Sequence, residues 1–280
     1  MELGKLAVRT CSGLVYCALI IGAVIIGDVG ILALGILFSI LACVEFAKIC
    51  REMSPGNFPT LLLDLAGCVA LCFGVFVYPL LIWLAIIVCR FILQLYTHNE
   101  NPVKDLAHSM LSQVYIGVPM GLMVAIAYLI SPWILLAVFF MIWINDTGAF
   151  IVGSSIGRHK LFPRLSPNKS WEGFFGGLLF NLIAGWAFSQ WLNALFDMPF
   201  YGGSIWVWLG MAVIVTAFST WGDLVESMFK RTLHIKDSGN LIPGHGGILD
   251  RIDSLLLVIP AITLYFVCLS VGDRMWALVF

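Results

Sequence analysis

Apolar residues in this chain come in long, nearly unbroken runs. Nine can be traced, at about 10–26, 30–48, 60–77, 79–96, 109–130, 132–152, 173–195, 204–229 and 254–272. Each is close to the roughly 20 residues that a helix needs to cross a hydrocarbon core. Turn-forming clusters separate them, among them Gly27-Asp28-Val29-Gly30, Ser54-Pro55-Gly56-Asn57, Tyr78-Pro79, Ser131-Pro132 and Tyr201-Gly202-Gly203. Lipid offers the backbone no partners, so only helices or closed barrels span it. Barrel strands are alternating segments of about ten residues, and these runs are too long for that. The pattern predicts an all-α integral membrane protein with about nine transmembrane helices. No small-residue cleavage site follows Met1-Glu2-Leu3-Gly4-Lys5, so the first run reads as a retained helix, not a removed signal peptide.

Composition sharpens this. Of 280 residues, 61% are hydrophobic and 11% charged, and the mean hydropathy is +1.00. A soluble domain carries about 25% charged residues, so a water-soluble enzyme and a disordered chain are both excluded. The net charge of −1 provides no bulk attraction to nucleic acid. The placement of charge says more. Thirteen of the fifteen basic residues fall before the first run or in alternate loops: Lys5, Arg9, Lys48, Arg51, Lys104, Arg158, Lys160, Arg164, Lys169, Lys230, Arg231, Lys236 and Arg251. Arg274 falls on the other side and Arg90 inside the fourth run. The positive-inside rule then places the N-terminus and the four long loops in the cytoplasm. The compact length fits a bacterial inner membrane, with a eukaryotic internal membrane as the alternative. The chain reads as a single polytopic domain over 1–280, with helices alone over 1–140 and the polar motifs over 141–280. The eight cysteines show no metal-type spacing and read as small buried hydrophobes.

Polar residues concentrate in two cytoplasmic segments. One carries Asn145-Asp146-Thr147-Gly148, then Ser166-Pro167-Asn168-Lys169-Ser170-Trp171-Glu172-Gly173; the other runs from Trp221-Gly222-Asp223 to Asp250-Arg251-Ile252-Asp253. Asp223, Glu226, Ser227 and Lys230 recur at helical spacing and share a face; Asp250 and Asp253 can share another. With Asp146 near the end of the sixth run, three helix ends carry acids at similar depth. Carboxylates there are costly unless paired, hydrated or bound to a cation. Acids converging beside basic residues point to a hard divalent ion shared with a phosphate ligand, as magnesium prefers. The plainer alternative pairs them with Lys230, Arg231 and Arg251. Gly244, Gly246 and Gly247 around His245 either bring backbone N–H groups to a phosphate or make an ordinary turn. Lys169, Lys230, Arg231, Lys236 and Arg251 offer charge to a polyphosphate, or serve as topology determinants and headgroup contacts. His245 is a phosphate donor, a proton carrier or a generic loop histidine.

Residues 227–253, S-M-F-K-R-T-L-H-I-K-D-S-G-N-L-I-P-G-H-G-G-I-L-D-R-I-D, resemble the signature of the phosphatidate cytidylyltransferases, the CDP-diacylglycerol synthases. D-T-G-A-F at 146–150 and S-P-N-K-S-W-E-G at 166–173 resemble that family's second polar block, although the family more often has Tyr where Phe150 stands. The resemblance is strong over the C-terminal half and rests on hydropathy over the first 140 residues. It implies an Mg²⁺-dependent reaction of CTP with phosphatidate, giving CDP-diacylglycerol and pyrophosphate, in a homodimer embedded in membrane lipid. By resemblance Asp223 and Asp250 are the main cation ligands, with Asp146 and Asp253 in or near that shell and a second cation possible. Lys230, Arg231, Lys236, His245 and Arg251 face CTP or pyrophosphate, Lys169 and Ser170 the nucleotide or lipid phosphate, and Ser227, Asp237, Gly246 and Gly247 complete the substrate site.

The chemistry needs no nucleophilic triad, and the sequence shows none. The lipid phosphate is already an anion and attacks the α-phosphorus of CTP in line, so the protein's task is positioning and charge neutralisation in a polar funnel on the cytoplasmic side. One rival is a CTP-dependent polyprenol or phytol kinase, which moves the γ-phosphoryl group instead. Another, of a different class, is a transporter, for which Glu45, Asp64 and Arg90 within apolar runs would speak. No internal repeat accompanies them, and Glu45 or Asp64 paired with Arg90 is a simpler reading.

Overall fold

A computed structural model describes residues 2–51, 58–98, 101–196, 204–243 and 246–279. Gly244 and His245 lie outside the described residues. The helices are α1 (Glu2–Ile26), α2 (Asp28–Arg51), α3 (Phe58–Cys72), α4 (Val77–Tyr96), α5 (Pro102–Ser112), α6 (Val118–Leu129), α7 (Pro132–Ile156), α8 (Trp171–Phe196), α9 (Ile205–Thr232) and α10 (Leu249–Val279). A π-helical turn, Gln113–Gly117, joins α5 to α6. All nine apolar runs are thus helical. Among the described residues, seven helical segments are long and apolar enough to cross a membrane, α5 through α6 counting as one. The run at 60–77 is shorter than expected, since α3 stops at Cys72 after 15 residues. The 26-residue α8 is not among the seven, because Asn181, Ser189 and Gln190 interrupt its apolar sequence. Among the described residues the departure from all-α is an antiparallel hairpin, β1 (Lys160–Phe162) and β2 (Ser166–Ser170), with Lys160 opposite Ser170 and Phe162 opposite Ser166.

Local chemistry sets the helix ends. Gly27, at φ +86°, closes α1 with its N–H on the carbonyls of Ala23 and Val24. Asn101 caps α5, its side chain accepting from Lys104 N at 3.1 Å, with Pro102 as the first helical residue. His234, at φ 56°, stops α9. Ile235 N–H then reaches back to the Lys230 carbonyl at 3.0 Å, a left-handed C-terminal cap.

The chain forms two compact units, Met1–Pro132 with Phe229–Ile252, and Trp133–Met228 with Asp253–Phe280. In the first, α2 and α3 pack together and both meet α6, while α3 also packs on α4. Ile31, Leu34, Phe38, Cys43 and Phe46 of α2 are buried, as are Cys68 and Cys72 of α3 and Met120 and Met123 of α6. Leu80, Leu81, Ile82, Leu84, Val88, Phe91 and Ile92 make α4 an exposed apolar face, as expected of a lipid-facing helix. The cysteine expectation needs correction. All eight are free, but Cys11, Cys89 and Cys268 are exposed and Cys17 is half-buried. A helix in lipid is apolar on its outer face too, so an apolar run does not tell inside from outside.

Arg90 is 1% exposed and holds α3, α4 and α5 together. Its guanidinium reaches Asp105 Oδ2 at 3.2 Å, Gln94 Oε1 at 2.6 Å and Ser109 Oγ at 3.0 Å, with Asp64 Oδ1 at 3.7 Å. The Ser109 hydroxyl also donates to Asp64. Of the two acids expected beside Arg90, the structure selects Asp64 and adds Asp105, which sequence spacing did not reveal. Glu45 is used elsewhere.

In the second unit, Trp208, Met211, Ala212 and Val215 of α9 and Leu255, Val258, Ile259 and Ile262 of α10 are buried. Tyr265 donates to the Val207 carbonyl at 3.3 Å. The hairpin is clasped to the start of α8 by Glu172, whose carboxylate accepts the N–H groups of Arg158 and His159 at 3.1 Å and meets His159 Nδ1 at 2.5 Å.

Replacing Arg90 by Met is expected to lower stability by about 3–5 kcal/mol, because it leaves two carboxylates without their cation. Thermal melting of the purified chain in detergent measures this, and a melting temperature equal to wild type would refute the pairing. The clasp predicts a pH dependence. The hydrogen bond with His159, then the backbone donors, lower the Glu172 pKa from 4.5 to about 2. Its stabilisation is therefore complete above 4.5 and is lost as pH falls through about 2. Protection of the Arg158 and His159 amides, measured as exchange relative to the intrinsic rate at each pH, should be constant down to pH 4.5 and fall as pH drops toward 2.

Candidate active site

The second unit builds a cavity of about 590 Å³ from four elements. The C-terminal half of α7 gives Asn145 and Asp146, the hairpin gives Ser166, Asn168, Lys169 and Ser170, α8 gives Gly173 and Phe174, and α9 gives Thr220 and Asp223. Close backbone approach makes this possible. Gly222 faces α10, where an added Cβ would lie 2.7 Å from the Asp253 carbonyl and 2.9 Å from Ser254 Cα. Only glycine lets the two helices close there, and the contact brings the carboxylates on either side together. Asp223, Glu226 and Asp253 each offer an oxygen within 4.8 Å of the others.

The surrounding groups fix these acids. Lys169 Nζ is 2.6 Å from Asp223 Oδ2 and donates to the Thr220 carbonyl at 3.3 Å. Ser227 donates to Asp223 Oδ1 at 3.3 Å. Ser254 N–H donates to Asp253 Oδ1 at 2.6 Å, and the Ser254 hydroxyl donates to the Ser219 carbonyl at 3.2 Å. Asn145, 2% exposed, donates to Ser219 Oγ at 2.8 Å and is 3.5 Å from Asp146 Oδ1. Ser170 Oγ accepts from Gly173 N–H at 3.1 Å, which pins the strand to α8. A cluster of carboxylate oxygens without sulfur or imidazole is a donor set suited to a hard cation. Lys169 adds a positive charge that an incoming phosphate can take over from Asp223.

The first unit organises the signature loop by itself. Asp250 is its hub: Oδ1 accepts from Lys230 Nζ at 2.8 Å, and Oδ2 from Ser238 N, Ser238 Oγ and Gly247 N, each at 2.9 Å. Ile242 N–H donates to the Gly246 carbonyl at 2.9 Å. Gly246 sits at φ +79° with a notional Cβ 2.6 Å from Asp250 Oδ2, so no side chain fits there. Around this hub Arg231, Lys236, Asp237 and Arg251 are exposed, as groups that meet a soluble ligand must be.

Of the site residues expected from the sequence, the second unit thus gathers Asp146, Lys169, Ser170, Asp223, Ser227 and Asp253. The first gathers Lys230, Arg231, Lys236, Asp237, Gly246, Gly247, Asp250 and Arg251. His245 is outside the described residues. Two contributors were not chosen from the sequence. Glu226 completes the acidic cluster and was signalled by its place one turn after Asp223. Asn145 was signalled by its position before Asp146.

Comparison with known proteins agrees with this chemistry. The model of the cytidylyltransferase family matches residues 7–269. A phosphatidate cytidylyltransferase of Staphylococcus aureus (strain COL) is 39% identical over 186 residues, which is 65% of this chain and 68% of that protein. Proteins of the same name from Staphylococcus haemolyticus and Staphylococcus saprophyticus are 40% and 38% identical over the same length and shares. Matched over nearly its whole length, and carrying acids, lysines and glycines in an arrangement suited to phosphate chemistry, this chain belongs to the cytidylyltransferase family.

Proposed function

We propose that this chain transfers the cytidylyl group of CTP to phosphatidate, making CDP-diacylglycerol and pyrophosphate for phospholipid biosynthesis. The observation that carries the reading is the acidic cluster of Asp223, Glu226 and Asp253, with Lys169 against Asp223 at the wall of a cavity. The named activity of the relatives supports it, as do the signature residues of 227–253.

A phosphate oxygen of phosphatidate forms a bond to the CTP α-phosphorus while the bond from that phosphorus to the bridging oxygen of pyrophosphate breaks. The attacking oxygen is already anionic, so no side chain needs to remove a proton. The difficulty is bringing anions together, and the residues address that. Lys169 binds a phosphate on the hairpin side, and Ser170 fixes the strand that carries it. Ser227 orients Asp223, and Ser254 N–H orients Asp253. Asp223 and Asp253 would hold Mg²⁺, with Glu226 and Asp146 beside them; the resemblance adds Asp250 as a main ligand, and a second cation. When bound, the ion supplies charge neutralisation for the phosphates and for the pyrophosphate that departs. Lys230, Arg231, Lys236, Arg251 and His245 meet the triphosphate from the signature loop, with Asp237, Gly246 and Gly247 shaping it.

In the same reading α3 and α8 join the seven apolar segments to make nine crossings. The N-terminus and the basic loops face the cytoplasm, where CTP is, across a bacterial inner membrane. The acyl chains stay in lipid while the headgroup enters a polar funnel, and the enzyme works as a homodimer.

The reading is tested with purified protein, labelled CTP and phosphatidate. The expected products are a CDP-linked lipid and pyrophosphate, abolished by a chelator and restored by Mg²⁺. Lipid phosphate with CDP would mean a kinase, and product formation unaffected by chelation would remove the cation. Asp223→Asn and Asp253→Asn should each reduce turnover at least about a hundredfold with an unchanged melting temperature, and Asp250→Asn should reduce turnover as much while also lowering the melting temperature, since it removes the partner of Lys230. Full activity in any one of them would remove that carboxylate from the reaction.

A further inference from the structure

The signature loop is anchored by a residue that lies far outside it. Glu45, on α2, is 5% exposed. Its Oε1 accepts the backbone N–H of Ile248 and its Oε2 that of Leu249, both at 3.0 Å, across more than two hundred residues of sequence. The Ser238 hydroxyl is 3.4 Å from Oε2. Ile248 immediately precedes α10 and Leu249 opens it, where the first N–H groups have no intrahelical partner. Glu45 supplies from another helix the acceptor that a capping side chain usually supplies, and puts negative charge at the positive end of the helix dipole.

Two features show that the loop is shaped around this carboxylate. A Cβ on Gly239 would lie 2.7 Å from Glu45 Oε1, and one on Gly247 would strike Oε2 and Ser238 Oγ. Both glycines therefore make room for Glu45. Gly247, Ile248 and Leu249 present successive N–H donors, of which the first goes to Asp250 and the next two to Glu45. The single Ser238 proton goes to Asp250, at 2.9 Å against 3.4 Å for Glu45. Two acids from different elements thus grip one loop. On its other side Glu45 borders a cavity of about 440 Å³, also lined by Leu41, Val44, Lys48, Asn240 and Leu241. Close packing does not confine the loop there, so the hydrogen bonds do.

We propose that Glu45 is a positioning residue for CTP, holding residues 236–243 and 246–250 in the one arrangement that presents Lys236, Gly246 and Gly247 to the triphosphate. This rests on the cytidylyl-transfer reading. Steady-state rates of the full-length chain in detergent and lipid, with each substrate varied in turn, test it. Glu45→Gln keeps the shape but turns an acceptor into a donor facing an N–H. The apparent KM for CTP should rise about tenfold, the value of one charge-assisted hydrogen bond. The KM for phosphatidate and the melting temperature should stay at wild-type values. Glu45→Asp, which keeps the charge but is one methylene short, should give a smaller rise, and it answers the question if the Gln variant does not accumulate. An unchanged CTP KM, or equal losses for both substrates with a lowered melting temperature, would overturn the proposal. If the unaltered chain makes no CDP-lipid, the reading of function fails; if it does and Glu45→Gln matches it, the role of Glu45 alone fails.

Discussion

A carboxylate among apolar helices must be met by donors or a cation, because hydrocarbon offers it no water. Most of what is distinctive in this molecule follows from that constraint. Asp64 and Asp105 are met by Arg90 and Ser109. Glu45 is met by the opening N–H groups of α10, and Asp250 by Lys230, Ser238 and Gly247. Asp223 has Lys169 and Ser227. Asp223, Glu226 and Asp253 remain crowded within 4.8 Å, and their mutual repulsion favours a hard cation among them. Asp64, Asp105 and Glu45 are answered within the protein, whereas this cluster is suited to a cation as well.

Glycine is the second recurring device, and it acts where elements must approach closely. Gly222 brings Asp253 and Ser254 against α9, and Gly239 and Gly247 admit Glu45. At Gly246 the reason is conformational, a positive φ beside Asp250. A side chain at Gly239, Gly246 or Gly247 would crowd a carboxylate oxygen, so the loop's sensitivity is electrostatic as much as steric, whereas one at Gly222 would strike the backbone of α10.

The hairpin shows the same economy of means. It is short and carries no core of its own, yet it places Lys169 and Ser170 at the cavity wall. Ser170 ties its end to Gly173 of α8, and Glu172 ties its beginning. A rigid attachment at both strands allows a three- and a five-residue strand to position a lysine at 2.6 Å from its partner.

The sequence by itself determined the helical class, since runs of about 20 apolar residues leave lipid-spanning helices as the stable solution. It also singled out the polar segments as candidates for the chemistry, because Asp223, Lys230, Lys236, Asp250 and Asp253 recur in a spacing that apolar packing does not require. The hairpin escaped notice because its alternation spans only a few residues. The exposure of Cys11, Cys89 and Cys268 escaped notice because both faces of a lipid-bound helix look alike. Only the tertiary structure decided how the acids are shared out. Glu226 joins Asp223 and Asp253, Asp105 joins Arg90, and Glu45 leaves Arg90 for the start of α10. The physical reason is that an ion pair or a helix cap depends on distances of about 3 Å between residues far apart in sequence, and sequence spacing fixes such distances only within a single helix.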